Sequence, residues 1–357
     1  LKYNAGTWSR CNSDMNVTFL VGNGFDINLG LKTKYTDFYP SYLAKGYNDI
    51  LSKDIEDNYK NWANLEIALG KVLAKISPDQ IREFLDCKGN LEKCLAAYLR
   101  SEAKRIDVSS EKLPGEFQKE ITNFHQEFSK QNKEDFLAWL GKVPSAISYQ
   151  FISFNYTDAL DQIVTVSKNV SPFGYHACGS TGYNDKLGTV HHIHGTLSSD
   201  LILGLNDPSQ IANSLLTANK SLTDYIIKSQ VNEALGERRV IDAKRIIDNS
   251  DYIGIYGMSL GDTDKMWWEY LLAWLQAKNT RRLVLYVHAD LSDNPSGQEK
   301  LRQIDNWKEI FLSQAGSQPD IADKVRSQII VIIRSKIFDF GSITISERDP
   351  ENVLLSV

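Results

Sequence analysis

Along Val17-Thr18-Phe19-Leu20-Val21 apolar positions follow one another with hardly a break, and then stop at Gly22-Asn23-Gly24-Phe25-Asp26. A short apolar run bounded by glycine reads as a strand buried on both faces. The signature returns at Gln150–Phe154, Val190–Gly195, Tyr252–Gly257, Arg282–His288 and Ile329–Ile333, with a shorter candidate at Leu201–Leu205. Between these runs the apolar period lengthens to that of a helix. Thr33 or Thr36 is expected to cap a helix carrying Phe38, Tyr39, Tyr42 and Leu43, and Trp62, Leu65, Leu69, Val72, Leu73 and Ile76 form one stripe. Further helices are expected near Asn90–Arg105, Gly115–Leu140, Ser221–Ile247, Asp262–Leu275 and Gln298–Leu312. Residues 104–115, with Ser109-Ser110 and Pro114-Gly115, read as an exposed loop.

Strands alternating with helices specify βαβ units and a parallel sheet with both faces covered. The stretch 36–146 stands out as a large helical insertion after the first strand, expected to lie over the ligand edge of the sheet. Residues 1–14 carry no pattern and read as an N-terminal extension, natural or appended, with 15–357 as a single domain.

Composition narrows the class. An apolar fraction of 42% and a charged fraction of 24% are ordinary for a globular protein, and a net charge of −5 disfavours a nucleic-acid partner. The four cysteines (Cys11, Cys87, Cys94, Cys178) are scattered with no Cys-x-x-Cys pair, which gives a structural zinc site no support and suits a reducing cytoplasm. No apolar run is long enough to span a bilayer and no signal peptide is visible, so a cytoplasmic location away from membranes is expected.

Four strand ends are followed by polar or glycine residues: Gly22–Asp26, Asn155–Asp158, His191–Gly195 and Gly257–Asp264. All strand C-termini of a parallel sheet lie on one edge, so these segments should converge on a nucleotide site. Gly22 and Gly24 read either as admitting a pyrophosphate to backbone N–H groups or as a plain strand-exit turn. Ile27 replaces the third glycine of a dehydrogenase fingerprint, so that reading is set aside. Asp26 would bind a ribose hydroxyl or cap the turn. Asn155 would orient a water or hold ribose hydroxyls, or form an Asx-turn. His194 is the candidate base, with His192 expected on its side of the strand and His191 on the other; two residues on one face are too few for a metal. Glu66 reads as a ligand contact from the insertion or as a surface salt bridge with a lysine. Ser259 and Asp264 bracket a helix start suited to a phosphate or ribose, and Asp207 is either a further pocket acid or part of a turn. Trp267, Tyr270, Leu271 and Trp274 share one helical face and read as core.

Phe19-Leu-Val-Gly-Asn-Gly-Phe-Asp26, Gly30-Leu-x-Thr-x-Tyr-x-Asp-Phe38, Ser153-Phe-Asn-Tyr-Thr157, His192-Ile-His-Gly195 and Gly257-x-Ser-Leu-x-x-x-Asp264 resemble the motifs of AbiH, a bacterial abortive-infection family of phage resistance. That family in turn resembles the Sir2 superfamily. The resemblance implies a Rossmann-like (Sir2-like) parallel sheet with helices on both faces, binding NAD at its strand ends. Gly22/Gly24, Asn155/Tyr156, His194/Gly195 and Gly257/Ser259/Leu260 would take the places of the family's NAD-holding motifs, with Asn23, Asp26, Asp264 and Glu66 beside them. It implies an antiphage protein that hydrolyses NAD at the N-glycosidic bond. Gly22 and Gly24 would hold the pyrophosphate, Asn155 and His194 would act at the nicotinamide ribose, and Ser259 would bind the adenosine half. Such an activity would need gating, by a defence partner, by homo-oligomerisation or by the helical layer. The alternatives are a non-catalytic nucleotide-binding sensor or scaffold, and a hydrolase of another nucleotide or of nucleic acid.

Overall fold

The computed structural model describes residues 15–199, 201–289 and 291–347. The expected extension at 1–14, with Cys11, lies outside the described residues.

Seven strands form one sheet: β1 (Met15–Val21), β2 (Ile147–Ser153), β3 (Gly174–Cys178), β4 (Thr181–His192), β5 (Ser250–Tyr256), β6 (Arg282–Val287) and β7 (Ile329–Ile333). Their order is β3-β4-β2-β1-β5-β6-β7, parallel throughout except for β3, which runs antiparallel to β4 at one edge. The chain builds outward from β1 on one side and then returns to build on the other. That reversal opens a crevice at the C-terminal ends of the strands flanking β1.

Period-two alternation divides β1 between two cores: Val17, Phe19 and Val21 face one, Leu20 the other. The first core is closed by helices Leu113–Thr122, Lys130–Leu140 and Ala159–Ser167, which contribute Phe117, Phe136 and Leu160. On the opposite face, helices Arg239–Asp248, Lys265–Ala277 and Gly297–Gln314 supply Ile247, Trp268 and Phe311. Trp267, Leu271 and Trp274 are buried there, and Tyr270 packs against the same cluster. A third core stands apart from the sheet and forms a cap. In it Phe38, Tyr39, Trp62, Leu69, Phe84 and Leu95 pack with Leu203, Leu205, Leu222 and Ile226. The helices of 36–146 are therefore shared out: those before Lys104 build the cap, and those from Leu113 to Leu140 cover the sheet.

Local tertiary contacts reshape several expected elements. Leu205 makes a single parallel bridge with Ile227, and no strand forms at 201–205. A Cβ on Gly204 would lie 2.1 Å from the Ile226 carbonyl oxygen, so the two chains cross in direct contact. Leu205 N–H donates to the Ile226 carbonyl (2.7 Å) and Lys228 N–H to the Leu205 carbonyl (2.8 Å), which extends the backbone at Ile227. The helix expected over Ser221–Ile247 is thus broken into Lys220–Ile226, Lys228–Ala234 and Arg239–Asp248. Ile106–Asp107, expected in a loop, pairs with Thr344–Ile345. The hairpin of β3 and β4 has no counterpart in the periodicity analysis; it closes through Gly179-Ser180, with Gly179 at φ +61°. The helix expected from Thr33 or Thr36 starts at Tyr35, where the Asp37 carboxylate accepts from Lys34 N–H (3.2 Å).

The turns leaving β1 and β5 touch backbone to backbone. Gly22 N–H donates to the Tyr256 carbonyl (2.9 Å) and Gly24 N–H to that of Gly257 (2.8 Å). A Cβ on Gly24 would sit 2.5 Å from Gly257 Cα, a contact no side-chain adjustment relieves. Gly24→Ala should cost about 3 kcal/mol or more in urea unfolding. Gly89, inside helix Ile81–Ala103 with open space at its Cβ position, should respond oppositely, Gly89→Ala gaining about 0.5–1 kcal/mol. Equal effects from the two substitutions would refute this account of the crossing.

Candidate functional site

One cavity of about 920 Å³ opens at the C-terminal ends of β1, β2, β5 and β6, with the cap forming another wall. That volume suits a nucleotide-sized ligand. Gly22, Asn23, Gly24, Asp26, Glu66, Asn155, Tyr156, His194, Gly257, Ser259 and Asp264, eleven of the residues singled out in the sequence, line it.

Asp26 sits in the first turn of the short helix Gly24–Asn28 and is almost fully buried. One carboxylate oxygen accepts from Asn155 Nδ2 (3.1 Å), the other from the Thr157 hydroxyl (2.6 Å). Burial pushes its pKa up to about 7, against the opposing pull of the Thr157 and Asn155 hydrogen bonds. The Asp26–Asn155 bond fixes the amide orientation, because a carboxylate can only accept from it. Asn155 Oδ1 is then left buried with no hydrogen-bond partner among the described residues.

His194 lies two residues beyond the end of β4, so strand alternation no longer sets its direction. His192 does not accompany it into the cavity, contrary to expectation: its ring nitrogens meet Asp161 Oδ2 (2.8 Å) and the Asn155 carbonyl (3.1 Å). His191 turns to the Arg239 carbonyl (2.6 Å). The His194 ring is held edge-on to Phe154 and beside Tyr156, and its buried Nδ1 has no partner among the described residues. Burial, reinforced by the charges of Lys228, Arg239 and His192, holds its pKa well below the usual histidine range. The imidazole is therefore neutral and its free nitrogen accepts or donates a hydrogen bond without carrying charge.

The remaining candidates take more specific places. Asn23 is engaged with Thr33, accepting from its hydroxyl (2.5 Å) and donating to its carbonyl (3.1 Å), so it braces the turn. The N–H groups of Gly22 and Gly24 are engaged by the β5 turn, and those glycines serve the chain crossing first. Ser259 is exposed at the cavity rim. Asp264 carries a pKa raised to about 7, by burial first, with Lys228 opposing and Glu66 adding to the rise. Glu66 forms a salt bridge with a lysine, as one reading held, but in the interior: its partner is Lys228. Asp207 accepts from Ser209 N–H (2.7 Å) in a turn and does not line the cavity.

Lys228, Tyr35 and Thr157, which are not among the site residues expected from the sequence, also line the cavity. Thr157 carried a signal, its place beside Asn155 at the end of β2. Lys228 carried none, since only the crossing at Gly204 and Ile226 brings it inward. Among the described residues no three His, Cys, Asp or Glu side chains gather to hold a metal ion. Nor is any helix among them long and apolar enough to cross a membrane.

The strand-end motifs belong to one known pattern: the family model described as bacteriophage abortive infection AbiH matches residues 18–286. The chain belongs to the AbiH family. That stretch runs from β1 through nearly all of β6 and includes the cap, so all eleven cavity residues named above fall inside the AbiH match. No curated protein matches the chain. The family description supplies the coarse function, phage abortive infection.

Asp26 yields a stability prediction. A carboxyl whose pKa rises from 3.8 unfolded to about 7 folded keeps its proton longer in the native state, so native stability falls as pH rises between those values. Wild type should lose on the order of 3 kcal/mol relative to Asp26→Asn from pH 4 to pH 8. Parallel stability–pH curves for the two proteins would show that Asp26 is not the group responsible.

Proposed function

We propose that this AbiH-family protein acts in abortive infection by binding NAD in the strand-end cavity and hydrolysing its N-glycosidic bond. The observation that carries the reading is the pair of buried, unpartnered polar atoms, Asn155 Oδ1 and His194 Nδ1, both on residues lining one cavity. Buried polar atoms are satisfied in the great majority of cases, so two orphans at one site mark where a ligand supplies the missing partners. The position at the reversal of strand order is where doubly wound sheets bind dinucleotides, and it supports the Rossmann-like, Sir2-like assignment of the sheet.

In this reading the nicotinamide ribose lies between Asn155 and His194. Asn155, oriented by Asp26, accepts from the attacking water and places it at the anomeric carbon. His194 accepts from a ribose hydroxyl as the C–N bond breaks, nicotinamide leaves with the bonding electron pair, and water delivers hydroxide to the oxocarbenium-like carbon while releasing a proton. Tyr156 supports the His194 ring. Gly22, Gly24 and Gly257 form the floor beneath the pyrophosphate, and Ser259 meets the adenosine half. The cap closes the cavity against bulk water, so a partner or self-association that shifts it would gate the activity.

A second reading keeps the ligand and drops the turnover: a nucleotide sensor within a defence assembly. The low basicity of His194 favours it, because a weakly basic imidazole holds a hydroxyl better than it deprotonates one.

Purified wild type should release nicotinamide from NAD, and Asn155→Ala and His194→Ala should each lower the rate by about 10²-fold or more. NAD-induced thermal stabilisation without turnover in wild type would point to the sensor or to an enzyme awaiting its trigger, and would remove free turnover from the reading. Neither turnover nor stabilisation would dismiss NAD as the ligand.

A further inference from the structure

Glu66 reaches the cavity from helix Leu65–Val72 of the cap, and Lys228 from the start of helix Lys228–Ala234, directly after the cap residues Ile226 and Ile227. They form an ion pair on its wall, with residue exposures of only 8% and 4%. Lys228 Nζ donates to Glu66 Oε1; among the described residues no hydrogen bond engages Oε2. The pair is close enough to the reacting end to act on it electrostatically. The Lys228 charge bears on His194 and Asp264, and the Glu66 charge on the Tyr35 and Tyr156 hydroxyls.

A buried ion pair is a weak source of stability, because desolvation offsets the attraction. On a cavity wall it has a different consequence. The lysine is committed to its partner, so this end offers no free cation to a phosphate, while the carboxylate keeps an oxygen for a ligand. The other flexible cations of the wall are Lys34, exposed after the β1 turn, and Arg334, just beyond β7. Lys34 and Arg334 are therefore the wall's candidates to meet phosphate, and Glu66 its candidate to meet positive charge on a ligand.

We propose that Glu66, held in place by Lys228, reads the positive charge of the base ring and selects the dinucleotide whose nicotinamide ring is oxidised and cationic over the reduced form, whose ring is neutral. This rests on the NAD reading. Glu66 is a ligand-contacting residue and Lys228 a positioning residue.

Dissociation constants for NAD and NADH in the turnover-deficient Asn155→Ala background provide the test. NAD should bind about tenfold tighter or more, a preference expected of one partly buried charge contact. Glu66→Gln should bring the two within about twofold by weakening NAD while leaving NADH unchanged. The double variant Glu66→Gln/Lys228→Met removes both charges and should show the same loss of preference, which guards against misfolding of the single variant. Equal affinities before Glu66 is changed, or a preference that survives Glu66→Gln, would overturn the proposal while NAD binding stands. Failure of both dinucleotides to bind would overturn it together with the NAD reading.

Discussion

A buried carboxyl group held by two neutral hydrogen-bond donors ties this structure together at the cavity edge. Asp26 leaves β1 on one side and accepts from Asn155 and Thr157 at the end of β2 on the other. Hydrogen bonds of this kind are directional. They fix the amide, and with it the buried oxygen that Asn155 turns away from Asp26. The backbone crossing of Gly22 and Gly24 with Gly257 does the corresponding work toward β5. Three strand ends are thereby held in one arrangement, and the cavity inherits its floor from them.

Desolvation is the common cause of the site's electrostatics. It raises Asp26 and Asp264 to about 7 and holds His194 well below the usual range, so burial shifts each toward its neutral form. Against that background the Glu66–Lys228 pair stands out as a charged unit in the interior. A low-dielectric wall lets such a unit act on its neighbours at a distance where water would screen it. The chemistry proposed here relies on hydrogen-bond placement more than on a strong acid or base.

Much of the edge was legible because it is written in local signals. Continuous apolar runs stopped by glycine or by polar residues marked the ends of β1, β2 and β5, and a parallel sheet must bring such ends together. The cap was legible only in part. The Trp62–Ile76 stripe announced a helical core, yet the contribution of Leu203–Ile227 to that core carried no periodic pattern, because it enters through a bridge and irregular backbone. The β3–β4 hairpin was missed for a related reason. β4 has a single buried residue, Asp185, so only its last residues, within the expected strand Val190–Gly195, carry the signal of a strand.

By itself the sequence determined the α/β class, the strand ends that meet at the cavity and the family motifs, since hydrophobic period and turn residues act within a few positions of the chain. Only the tertiary structure decided what each candidate does. Gly24 faces another backbone, Asn23 braces Thr33, His192 turns away to Asp161, and Glu66 meets a lysine 162 residues further on. The physical reason is common to all four. Which polar atom is satisfied and which is left for a ligand depends on partners brought together by the packing of remote segments, and no local period records those.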